Sequence, residues 1–186
     1  MTEKKENKGR NGELAVLGVL NDASLALGGI EPLRYSTTNT PDMGVDLVLT
    51  GSKSDLEAVI GIGEGKFKDA CEARALLEPD ETRVKARFDV KKYDGGITLA
   101  AVDKFISEVS ILGSYDYHVM AGSERMMPKA EEAWIAAKEN LAEKGKHLHY
   151  INDQGLYQIS QVFPHVPLTN PQDKLLPNDP SEEDKS

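Results

Sequence analysis

The sequence predicts an α/β sandwich with a mixed central sheet, and three observations lead there. Segments with helical apolar spacing alternate along the chain with short strand-like runs, the pattern of a layered α/β domain. One of those runs, Val84 to Tyr93, alternates cleanly between apolar and charged residues. The length, 186 residues, suffices for one domain with a sizeable core but not for two of ordinary size.

The elements follow in chain order. Residues 1–10 are polar and mixed in charge, which predicts a flexible arm ahead of a domain spanning 11–166. Gly12 to Leu27 holds good helix formers, is apolar around most of its circumference, and stops at Gly28-Gly29. Ile30 to Pro41 carries loop signals, and Val45 to Thr50 reads as a short, mostly buried strand. Residues 51–82 are ambiguous: Lys66 to Glu78 suits a helix, whereas the glycine-rich stretch before it suits a strand or an excursion. In the strand Val84 to Tyr93, one face carries Val84, Ala86, Phe88 and Val90, and the other carries Lys85, Arg87, Asp89 and Lys91.

After a turn at Asp94-Gly95-Gly96, residues Val102, Phe105, Ile106 and Val109 follow the spacing of an amphipathic helix. A strand is expected at Tyr115 to Ala121. Pro128, suited to a first helical position, opens a helix with Ala130, Ala133, Trp134, Ala137 and Leu141 on one face and a stop at Gly145. A strand at His147 to Ile151 and a helical piece from Leu156 to Phe163 complete the domain. No internal repeat is seen. The tail, 167–186, is rich in Pro, Ser and acids and predicts disorder; residues 171–186 hold five acids and two lysines, a net −3.

Composition narrows the function classes. Apolar residues make up 39% and charged residues 28%, as in a soluble globular protein. No run approaches the roughly 18 apolar residues of a membrane span, and the polar start has no signal-peptide core, so no membrane partner and a cytoplasmic location are expected. The single cysteine, Cys71, makes disulfide, zinc and redox chemistry poor expectations. A net charge of −9 opposes nonspecific coating of nucleic acid and weighs against DNA binding in general.

Chemistry concentrates in two places. Asp89 and Lys91 lie two residues apart on a strand and so project from one face, about 7 Å apart along the chain. Alone, the pair fits a solvated ion pair. Asp46, at the start of a buried strand, is out of place there without a partner or a metal. Two carboxylates with a lysine beside them suit Mg²⁺, with Mn²⁺ as its substitute, and Lys91 can align a water and offset charge on a phosphate. The same trio also fits a structural charge network. Asp42 in Pro41-Asp42 competes with Asp46, although an Asp in such a turn more often caps backbone amides. His147 and His149 share a strand face but lack a third ligand, and Gly61 to Gly65 lacks the lysine of a phosphate loop. Lys85, Arg87 and Lys92 are candidates for DNA phosphate contacts, with Arg125 and Lys129 behind them.

The succession Gly12-Glu13, Asp42 to Leu49 (DMGVDLVL) and Phe88 to Tyr93 (FDVKKY) resembles the PD-(D/E)xK nuclease superfamily, in particular its Mrr-type restriction endonucleases. Residues 91–122 look like that branch's stretch from the catalytic lysine through a helix to the next strand, and 128–156 like its following helix, strand and closing turn. The likeness runs over about residues 8–163. It implies a restriction-endonuclease-like three-layer sandwich and a Mg²⁺-dependent DNA endonuclease of restriction or DNA processing that leaves 5′-phosphates. In it Asp46 and Asp89 would hold the metal and Lys91 would act on the water. Glu13 would be the helix-borne acid that archaeal Holliday-junction resolvases add, although a Glu in a first helical turn also suits the helix dipole alone. Members often carry Gln or Glu where this chain has Asp89, and residues 51–82 look like an insertion. Many relatives are homodimers. The alternative from another class is an inactive or partner-dependent subunit of the same fold, serving as a DNA-binding or protein-interaction module.

Overall fold

A computed structural model describes residues 8–34, 45–93 and 95–165. Asp42 and the tail 167–186 lie outside them. The described elements run α1 (Lys8–Leu27), β1 (Ile30–Arg34), β2 (Leu47–Ser52), α2 (Lys53–Gly63), α3 (Ala70–Leu76), β3 (Arg83–Val90), α4 (Leu99–Ile111), β4 (Tyr117–Ala121), α5 (Pro128–Ala142), β5 (His147–Ile151) and α6 (Asp153–Val162).

Local chemistry sets many of these boundaries. Helix α1 ends where Gly28 takes φ +73° and returns its N–H to the Ser24 carbonyl. Ser52 caps α2 by accepting the Asp55 N–H, and Thr98 and Asn152 do the same for α4 and α6. Pro128 opens α5.

The strands form a single mixed sheet in the order β1-β2-β3-β4-β5. The first three run antiparallel as a meander, with Leu47 paired to Phe88, and β3, β4 and β5 run parallel, joined by α4 and α5. Because side chains alternate along each strand, the sheet has two apolar faces. Leu47, Leu49, Phe88, Val119 and Ile151 bury against α1, α2 and α6. On the reverse side Met120 and Leu148 pack with Val102, Phe105 and Val109 of α4 and Ala130, Trp134 and Leu141 of α5.

Four expectations need correction. The loop signals after Ile30 conceal strand β1, an edge strand in which Pro32 is tolerated. The glycine-rich stretch after Ser52 is helix α2, and it is no surface excursion, since Leu56, Val59, Ile60 and Ile62 enter the core. Its glycines serve close packing: a Cβ at Gly61 would strike the Phe67 ring, and one at Gly63 would crowd Ile151 and Ile159. Helix α1 begins at Lys8, so residues 8–10, assigned to the arm, are helical. Finally, β3 ends at Val90, which puts Lys91 just past the strand, although its N–H still reaches the Ala121 carbonyl.

Candidate functional site

Asp46 sits one residue ahead of β2 and is tied to β3 twice. Its N–H donates to the Phe88 carbonyl at 2.9 Å, and its carboxylate accepts the Val90 N–H at 2.6 Å. These bonds bracket Asp89, whose side chain is buried, 2% exposed. The Lys91 ammonium lies 2.5 Å from Asp89 Oδ1 as an ion pair. Asp46, Asp89 and Lys91 are thus brought together where β2 begins and β3 ends.

The charges respond to this crowding. Burial pushes the Asp46 carboxyl up, the Val90 hydrogen bond opposes it, and the negative charges of Asp89 and Glu13 add to the rise, leaving its pKa at about 6. Burial would depress Lys91, but the charge of Asp89, its contact with that carboxylate and the charge of Asp46 outweigh it and hold the ammonium above its ordinary range. A carboxyl that gives up its proton reluctantly, beside a second buried carboxylate, is a place where a cation is favoured.

Glu13 joins this group through α1. It is close enough to act on Asp46, yet its carboxylate is also engaged by Arg34, the last residue of β1, at 2.8 Å. Arg34 is the functional candidate that sequence reasoning missed. Only the existence of β1 places it here, and no local pattern signals that strand.

The proposed phosphate contacts separate. Lys92 is exposed beside the site, with Nζ 2.7 Å from both Asp153 oxygens. It also lines a cavity of about 380 Å³ with Asn11, Gly12, Val90 and Leu156. Lys85 is exposed but stands four residues up the strand, about 13 Å from Asp89 by the rise of a strand, and so is not beside the site. Arg87 is corrected outright. It is 0% exposed, with Nε donating to His118 Nδ1 at 2.8 Å, Nη2 donating to the Phe105 carbonyl at 3.1 Å, and Nη1 3.3 Å from Glu108. Its guanidinium also lies over the Phe105 ring, 4.3 Å from the centroid. Helix α4 covers this face of β3, so Arg87 has no access to a phosphate. Arg125 and Lys129 are exposed.

Of the two strand histidines, His149 turns Nδ1 toward Glu64 at 3.0 Å and His147 stacks on Tyr117. Glu64 also meets Lys66 and Lys138. Burial alone would raise Glu64, but His149 and the two lysines bring it down to about 2. This is a charge cluster apart from the β2–β3 group.

Among the described residues no three His, Cys, Asp or Glu side chains converge closely enough to hold a metal between them. The oxygen donors of Asp46 and Asp89 suit a hard cation of the kind that takes one or two carboxylates and completes its shell with water and phosphate. A scan against protein-family models gives no match for this chain, and neither does a search of curated proteins.

Proposed function

We propose that this chain is a metal-dependent DNA endonuclease acting in restriction or DNA processing. The observation that carries the proposal is the meeting of Asp46, Asp89 and Lys91 at the junction of β2 and β3, with the Asp46 carboxyl raised to about 6. The antiparallel β1-β2-β3 meander followed by a helical crossover to a parallel β4 supports the restriction-endonuclease-like, Mrr-type sandwich expected of such an enzyme.

Asp46 and Asp89 would hold Mg²⁺ or Mn²⁺, which supplies Lewis-acid polarisation of the phosphodiester and of water. Lys91 keeps its proton at Nζ, held there by Asp89, and orients an attacking water while offsetting the negative charge that develops on the phosphate. Val90 fixes the Asp46 carboxylate by hydrogen bond, so that oxygen does not reorganise during the reaction. Glu13 and Arg34 form a neutral pair at the edge, where Arg34 can meet a neighbouring phosphate. Cutting both strands takes two sites, and a homodimer would supply them.

The second reading, a partner-dependent subunit, is favoured by the burial of Arg87 together with the −9 charge, since both reduce the positive surface left for DNA. Cleavage of supercoiled, linear, methylated and branched DNA with Mg²⁺ or Mn²⁺ separates the two. Cutting by the wild type that is lost in Asp89→Ala and Lys91→Ala supports the nuclease; a folded wild type that cuts none of these substrates points to the subunit.

A further inference from the structure

The turn after β4 carries the chain's one described non-glycine residue at positive φ, Ser123, at +57°. A left-handed backbone is uncommon for serine and persists where surrounding bonds hold it. Here the bonds are visible. Ser123 Oγ donates to the Lys91 carbonyl at 2.7 Å and accepts the Tyr93 N–H at 2.8 Å. Its own carbonyl accepts the Tyr150 hydroxyl at 3.1 Å and the Asp153 N–H at 3.2 Å. The residue is 1% exposed.

The preceding residue completes the contact. Gly122 takes φ +90°, and a Cβ there would come within 2.7 Å of the Lys91 carbonyl oxygen, so only glycine lets β4 close on that segment. Lys91 is therefore gripped at both backbone groups: its N–H goes to Ala121 and its carbonyl to the Ser123 hydroxyl. The Lys91 N–H is the last group of this segment held by β4 in the manner of strand pairing; from the Lys91 carbonyl to the Tyr93 N–H the backbone is held by the Ser123 hydroxyl.

We propose that Ser123 is a positioning residue for Lys91, spanning the two peptide groups that follow the strand and fixing the direction in which the lysine leaves the backbone. Resting on the nuclease reading above, this assigns the turn after β4 to the site although its side chain touches no reacting group. Hydroxyl and strain can be separated by substitution. Ser123→Ala removes the hydroxyl and keeps the strained φ, Ser123→Gly removes both, and Ser123→Thr keeps the hydroxyl while worsening the strain.

The experiment compares the three variants with the wild type by steady-state DNA cleavage in Mg²⁺, thermal unfolding, and hydrogen exchange of the Tyr93 amide. Ser123→Ala and Ser123→Gly are expected to lose about 10- to 100-fold in kcat with KM within about 2-fold. Ser123→Gly should melt at or above Ser123→Ala, whereas Ser123→Thr should melt lower and keep most of its kcat. The Tyr93 amide should exchange faster in the first two variants. Wild-type kcat in Ser123→Ala, or recovery of kcat in Ser123→Gly through relief of strain, overturns the positioning role. Unchanged Tyr93 exchange in Ser123→Ala overturns the latch itself. A wild type that cuts no DNA removes the reaction and with it the positioning role, and is told apart because accelerated Tyr93 exchange would still be seen.

Discussion

Replacing Asp46 by Asn should make the metal-free protein more stable at neutral pH and, under the nuclease proposal, abolish cleavage. In the folded chain the carboxyl titrates at about 6 instead of 3.8. At about 1.4 kcal/mol per pKa unit, that rise is a penalty of about 3 kcal/mol on the ionised group. The side chain is half-buried, and solvent screening reduces the figure to about 1.5 kcal/mol. The sign follows from proton uptake: between pH 3.8 and about 6 the native state binds more protons than the unfolded one, so stability falls as pH rises through that window. Asn carries no charge and can still accept the Val90 N–H. Its advantage should be near zero at pH 4 and reach about 1.5 kcal/mol at pH 8, or about 3–6 °C in Tm for a domain of this size. Thermal unfolding by circular dichroism in EDTA at both pH values measures it. Added Mg²⁺ should then stabilise the wild type and leave the variant unmoved. A variant less stable than wild type at pH 8, or one with the same advantage at pH 4, would refute this account of Asp46.

Arg87→Met should cost about 3–5 kcal/mol in urea denaturation, because it removes the buried partner of Glu108 and leaves that carboxylate only the exposed Lys104 ammonium at 3.7 Å, and Arg87→Met/Glu108→Leu should recover most of that loss. If DNA is bound, the salt dependence of affinity should not change in Arg87→Met; a slope lower by about one would place Arg87 on a phosphate after all. His118 is fully buried, and burial together with the Arg87 charge lowers its pKa to about 3 from 6.5. Its contribution is complete above pH 6.5 and declines by up to about 1.4 kcal/mol per unit as pH falls toward 3, so His118→Gln should flatten acid denaturation between pH 6.5 and 4.5 in urea titrations. Gly155→Ala would drive a methyl group into the Gly63 carbonyl where α6 crosses α2, and should cost about 1–3 kcal/mol or more in the same assay.

Much of this arrangement was legible because strand alternation and helix spacing are local. Asp46 stood out as an acid opening an apolar strand, and Asp89 with Lys91 as a pair on one face. Alternation says which residues share a face, however, and not whether a helix covers it. That is why Arg87 read as a DNA contact and is instead packed under Phe105. Strand β1 was hidden by Pro32, whose usual meaning is a turn and which an edge position tolerates. Helix α2 was hidden by Gly61 and Gly63, which lower helix propensity but are demanded by Phe67, Ile151 and Ile159. Glu13 was visible as a helix acid, but its partner Arg34 depended on the missed strand. Ser123 carries no signal in the sequence, since nothing local reports a bond to a carbonyl 32 residues earlier.

That separation has a consequence for how the protein comes into being during synthesis. The β1-β2-β3 meander joins neighbouring stretches of chain, and with it Asp46, Asp89 and Lys91 can meet before the second half has left the ribosome. The hydroxyl that holds the Lys91–Tyr93 segment arrives only with the turn after β4, and the Tyr150 and Asp153 groups that steady that turn arrive later still. A nascent chain would thus carry its acids and lysine early but in a loose setting, and the segment that bears the lysine would become fixed only as its last strand and helix dock.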